Sequence, residues 1–215
     1  MLPSKAEIKI IGSNYIWITI VVMAIYYIAF ITGGDLINWE YLGLEIVFPF
    51  YLSIMISENV KIKADPMYEI LIVETRNFFL WILRRFVYVF VVISLIVIGS
   101  IYLMNICSNF YEAIIAFLGT SFVFSSIAIV SSYIFKNEHS AACVCGTVWI
   151  FFLLIRSLVR IPFVAMVYPF LRFVDETSET WIANKMNLII IGCILWSLVF
   201  LYTVCRGRRL THMLR

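Results

Sequence analysis

The feature that most limits this chain is a sixfold recurrence of apolar runs, each near bilayer-crossing length and most of them separated by short polar breaks. The runs cover about 15–32, 41–57, 86–104, 111–135, 141–157 and 186–204. A helix rises 1.5 Å per residue, so roughly 20 apolar residues cross a hydrocarbon core. Within lipid the backbone must satisfy its own hydrogen bonds, which leaves helices or closed barrels. Continuous runs of this length fit helices. The chain is therefore predicted to be an all-α membrane protein, one transmembrane domain over residues 1–215 with six spans. Charged residues make up 13% of it, about half the share in soluble domains, and no polar block remains to fold separately.

Where the cations fall sets the predicted orientation, because loops rich in Lys and Arg stay inside. With the N-terminus inside, the inner side holds Lys5, Lys9, Lys61, Lys63, Arg76, Arg84, Arg85, Lys136, Arg206, Arg208, Arg209 and Arg215. The outer side holds Arg156, Arg160, Arg172 and Lys185. Both termini are thus predicted to be cytoplasmic. The same spreading of basic residues over membrane-flanking loops argues against nucleic-acid binding. Residues 3–13, with Lys5, Glu7 and Lys9 against Ile8, Ile10 and Ile11, suit an interfacial helix. The N-terminus is too polar and too long before the first run for a typical signal peptide, and no small-residue cleavage site is seen, so that run is expected to be retained as a span.

Two stretches interrupt the pattern. Residues 58–85 form the longest polar interruption, yet from Pro66 they turn helical: Met67, Ile70, Leu71, Phe78 and Trp81 recur at helical spacing. Proline suits the first turn, where its missing N–H has no partner. An amphipathic surface helix over about 66–81 is predicted, with Glu69 and Arg76 on another face. Residues 158–184 are too apolar for a free loop and are broken by Pro162 and Pro169. Its apolar part, Ile161 to Val174, is about 14 residues long and as a helix would rise about 21 Å, short of the roughly 30 Å core. This reads as a re-entrant pair of short helices, tolerated at membrane depth only against protein or a wet cavity.

The five cysteines, Cys107, Cys143, Cys145, Cys193 and Cys205, lie in or beside apolar runs without zinc-type spacing. They read as small packing hydrophobes, and no metal or cofactor site is expected. His139 and Cys143, four apart, share a helical face. That pairing admits a membrane cysteine protease with the histidine as base, against the plainer reading of a surface histidine and a packing cysteine.

Taken together, six spans, cytoplasmic termini, a surface helix between spans two and three and a hairpin between spans five and six resemble the type-2 permease subunits of ATP-binding-cassette exporters. Glu58, then Tyr68-Glu69-Ile70-Leu71, then Arg76 looks like that family's acid, T-x-E-x-L-L-like turn and basic residue. Arg84 or Arg85 matches its basic residue before span three. The run SFVFSSIAIVSSYIFKN is similar to its small-residue fourth helix, and Trp181, Asn184 and CRGRRL to its last helix and basic tail. Pro66-Met67-Tyr68 and Glu74-Thr75 depart from the usual Gly-Thr and small-Pro pairs.

The resemblance implies a separate ATPase subunit docking on Glu58, Glu69, Arg76, Arg84 and Arg85, with a second permease copy or a similar permease completing the path. ATP and magnesium would then belong to the partner, consistent with the lack of a G-x-x-x-x-G-K-[ST] loop in these 215 residues. Short outer loops fit a hydrophobic or amphipathic cargo moved outward, such as a peptide or peptide antibiotic. Glu45 reads either as a path residue or as a hydrogen-bonded acid near the outer interface. Ser125 and Ser126 either wet a path or let helices pack closely. Pro162, Pro169 and Arg172 are expected to form the outer gate. A non-transporting structural or sensory membrane subunit is the alternative. The usage of Ile, Lys, Asn and Tyr suggests an AT-rich bacterial genome, and the chain is expected in the cell membrane as a multi-pass protein.

Overall fold

The computed structural model describes residues 14–33, 38–60, 78–104, 109–135, 139–175 and 178–213. The interfacial helix expected over 3–13 and most of the surface helix over 66–81, with Glu69 and Arg76, lie outside them.

Among the described residues the chain is all-helical. Helix α1 is Asn14–Gly33. The second long helix is composite: α2 (Trp39–Tyr41), a π-helical segment (Leu42–Val47) and α3 (Phe48–Val60) follow without a break. Then come α4 (Phe78–Leu103), α5 (Phe110–Ile134) and α6 (Ser140–Leu154), the last continued by a 3-10 segment, Ile155–Arg160. Two single turns, α7 (Pro162–Ala165) and α8 (Leu171–Val174), precede α9 (Trp181–Met213). Six of these stretches are long and apolar enough to cross a membrane, as expected of a multi-pass membrane protein.

Helix α5 is the centre. It packs chiefly against α3 and α9, and α4 and α6 flank it. Its small residues explain why: Ala113, Ala116, Gly119, Ser121, Ser125, Ser126 and Ala128 are buried and let backbones approach. At Gly119 an added Cβ would lie 3.1 Å from Cβ of Lys185, and at Gly192 of α9 one would lie 2.5 Å from the Phe122 ring. One core cluster joins Tyr15 and Met23 of α1 to Leu52, Ile56, Ile93 and Phe117. A second gathers Ile46, Phe124, Tyr168, Phe170, Leu171 and Trp181 at one end of the bundle. By contrast α1 exposes Trp17, Val21, Ile25 and Ile28, and α9 exposes Ile190, Ile194 and Leu201. Such apolar faces suit lipid, which solvates them without cost.

Several boundaries differ from the sequence reading. Helix α4 begins at Phe78, not near 86, so the last turn expected of the surface helix, and Arg84 and Arg85, belong to α4. The cause is packing: Trp81 and Ile82 are buried, and the Arg85 guanidinium lies 3.8 Å from the Trp81 ring centre, so its stem is covered too. Arginine's long stem lets a charged residue sit inside an apolar element. Helix α9 likewise begins at Trp181 rather than 186 and runs past 204 to Met213, and the fifth span extends beyond 157 through the 3-10 segment to Arg160.

Candidate functional site

The residues that converge do so at the bundle end where the second, fourth and sixth spans begin and the fifth finishes. Four pieces build the site: the π-helical segment, α5, the stretch 161–175 and the first turns of α9.

The stretch 161–175 sets the problem. It is too irregular to satisfy its own backbone, and a buried carbonyl or N–H without a partner costs free energy comparable to a lost hydrogen bond. Polar side chains on the long helices supply the partners. Asn184 Nδ2 donates to the carbonyls of Ala165 at 2.7 Å and Tyr168 at 2.9 Å. Asn187 Nδ2 donates to Met166 O at 3.2 Å. Thr120 Oγ1 donates to Pro169 O at 3.1 Å. The Phe173 N–H donates to Glu45 Oε2 at 2.9 Å.

Lys185 ties these together. Its ammonium has three protons and three oxygen partners: Glu45 Oε1 at 2.5 Å, Pro169 O at 2.8 Å and Thr120 Oγ1 at 3.0 Å. Neither Lys185 nor Glu45 has exposed surface. Attraction rises as the dielectric falls, but so does the desolvation cost, so such a pair is weak evidence of net stability. What it does impose is geometry, because breaking it leaves a buried lone charge. Glu45 sits in the π-helical segment, and π-type turns recur at functional sites. A carbonyl of that segment, Ile46 O, accepts from Trp149 Nε1 of α6 at 3.1 Å.

A second layer lies beside the first. Arg172 Nη2 donates to Glu112 Oε2 at 2.6 Å and to the Tyr41 hydroxyl. Its guanidinium lies 4.6 Å from the Tyr41 ring centre and 4.7 Å from that of Trp181, a cation held by two π faces. Burial works against this charge, but the Tyr41 hydrogen bond and the Glu112 carboxylate outweigh it and hold the pKa above arginine's ordinary value. Nearby, burial and then the Glu45 carboxylate push the Tyr168 hydroxyl up to about 12. It therefore stays protonated and donates to Phe152 O at 2.9 Å.

Comparison with protein-family models, with curated proteins and with solved structures finds no match.

The structure brings Glu45, Pro169 and Arg172 into one assembly, with Pro162 opening α7 beside it. Ser125 and Ser126 are buried on α5 outside it, Ser126 Oγ donating to Phe122 O at 2.6 Å. Glu58, Arg84 and Arg85 are not brought to it; they lie toward the ends of α3 and α4 that flank residues 61–77. There Glu58 Oε1 lies 3.6 Å from Nδ1 of His139. Among the described residues no side-chain hydrogen bond joins His139 to Cys143, only the helical one from Cys143 N–H to His139 O at 3.0 Å, and both side chains are exposed. Cys145 packs in the interior, as expected of a small hydrophobe, whereas Cys143 and Cys193 lie on exposed faces.

Sequence reasoning put Lys185 among the outer loop cations and missed its burial. A signal existed: one acid inside the second span and one lysine at the head of the sixth are the kind of isolated charges that pair within a membrane protein. Thr120, a hydroxyl amid the small residues of α5, carried no signal of its own.

Proposed function

We propose that this chain is the transmembrane subunit of an ATP-binding-cassette exporter. Its termini face the cytoplasm, its segment 161–175 re-enters the outer leaflet, and a separate ATPase drives outward movement of a hydrophobic or amphipathic cargo. The observation that carries the reading is the Glu45–Lys185 assembly at one end of the bundle. It fixes an irregular, prolyl-broken segment to three spans at once, through Asn184, Thr120 and the pair itself. A segment held by side chains of several moving helices responds when those helices shift, which is what an outer gate requires. The opposite end bears Glu58, Arg84 and Arg85 on helices entering and leaving residues 61–77, where the docking surface is proposed with Glu69 and Arg76. A force applied there reaches the gate along α3, which runs directly into the π-helical segment carrying Glu45.

The test is purification of the chain from its native membranes in mild detergent, followed by assay of the recovered complex. A co-purifying ATPase, with hydrolysis that drives cargo out of sealed vesicles, is the expected result. Recovery of the chain without ATPase activity under several mild extractions would overturn the proposal and favour a structural or sensory subunit.

A further inference from the structure

Four cations lie at the bundle end that carries the Glu45–Lys185 assembly: Arg156, Arg160, Arg172 and Lys185. Two are neutralised inside the protein, Lys185 by Glu45 and Arg172 by Glu112. The other two, Arg156 and Arg160, make no ion pair or hydrogen bond among the described residues, and both line one open cavity of about 520 Å³. Ser157 shares that wall, and Phe173 and Asp175 face it from the α8 side.

We propose that this cavity binds the phosphodiester headgroup of an anionic phospholipid. Three observations choose that ligand. The first is position: Arg160 ends the fifth candidate span, so the cavity sits where a span meets headgroups. The second is charge. Two guanidinium groups without an ion pair among the described residues outnumber the one carboxylate of the lining, that of Asp175, which suits an anionic ligand. Guanidinium presents a planar fork of N–H donors suited to phosphate oxygens, and the Ser157 hydroxyl adds a further donor. The third is the surround. Val174 of the lining is exposed, as are Leu158, Ile161 and Phe163 close to it in the chain, Phe163 at 77%, and these offer apolar surface to acyl chains. A small soluble anion would leave that surface bare.

The lipid so bound would contact the 3-10 segment and α8 together. It would therefore brace the stretch 161–175 against the 3-10 segment, beside the hold that Glu45 has on the Phe173 N–H.

Native mass spectrometry of the full chain, released from detergent with phosphatidylglycerol or phosphatidylcholine added, tests this. The expected result is one phosphatidylglycerol retained about tenfold more tightly than phosphatidylcholine. Arg156→Gln with Arg160→Gln should abolish the preference, and each single change should weaken it. Arg208→Gln with Arg209→Gln, which removes the same charge elsewhere, should keep it. Equal retention of the two lipids by the unaltered protein would overturn the proposal without any variant. Equal loss in the control variant would also overturn it, as a general charge effect. Displacement of the lipid by millimolar inorganic phosphate or glycerophosphate would overturn the lipid assignment in favour of a site for soluble phosphate.

Discussion

Glu45 of the π-helical segment and Lys185 of α9 meet at 2.5 Å, both fully buried, and the lysine's remaining donors hold Pro169 O and Thr120 Oγ1. Removing either partner strands the other charge. Glu45→Leu or Lys185→Met should each cost about 3–5 kcal/mol and lower folded yield. The double variant should recover most of that stability, because two apolar residues leave no orphan charge. Thermal unfolding in detergent, read by size-exclusion recovery, checks both halves. If the exporter reading is right, the double variant should still fail in transport.

Asn184 donates both amide protons to carbonyls of the stretch 161–175. Asn184→Asp keeps the shape but presents acceptors to acceptors. A loss of about 1–3 kcal/mol is expected, together with faster hydrogen exchange confined to residues 161–175. Exchange that rises equally throughout the bundle would show a general packing defect instead.

Gly192 stands where an added Cβ would lie 2.5 Å from the Phe122 ring. Gly192→Ala should force α5 and α9 apart and cost about 1–3 kcal/mol. At Gly99 an added Cβ meets nothing within 4 Å, so Gly99→Ala is the matched control and should be neutral or slightly stabilising. Paired melting curves of the two variants decide it.

Arg172 is clasped between Tyr41 and Trp181 and bonded to Glu112. Single cysteines from Phe163 to Phe173, in a background lacking the five native cysteines, should label from outside near the exposed Pro162 and be protected over the buried positions 168–172. Arg172→Lys keeps the charge but loses the planar stack, and should open the protected positions to a membrane-impermeant thiol reagent. Uniform labelling in the parent series would mean that the segment is an ordinary exposed loop.

For the docking surface, Glu69→Arg or Arg76→Glu should weaken recovery of the ATPase subunit while leaving membrane insertion unchanged. Pull-down from detergent measures the first and alkali extraction of membranes the second.

The sequence by itself determined the class and the number of spans. Apolar runs of this length have one stable solution in lipid, a helix that satisfies its own backbone, and Ser140–Arg160 or Phe110–Ile134 need no partner to be recognised as such. It also marked Pro162 and Pro169 as a break, because two rings without N–H so close together remove two helix hydrogen bonds and crowd the turns before them. Tertiary structure alone decided which polar residues are ends of helices and which are interior. Arg85 and Lys185 look like boundaries in one dimension. Trp81 covers the first, and Glu45, Pro169 and Thr120 satisfy the second, so both helices start earlier than their charges imply. The physical reason is that a charge's cost depends on what faces it, and what faces Lys185 comes from parts of the chain far from it in sequence.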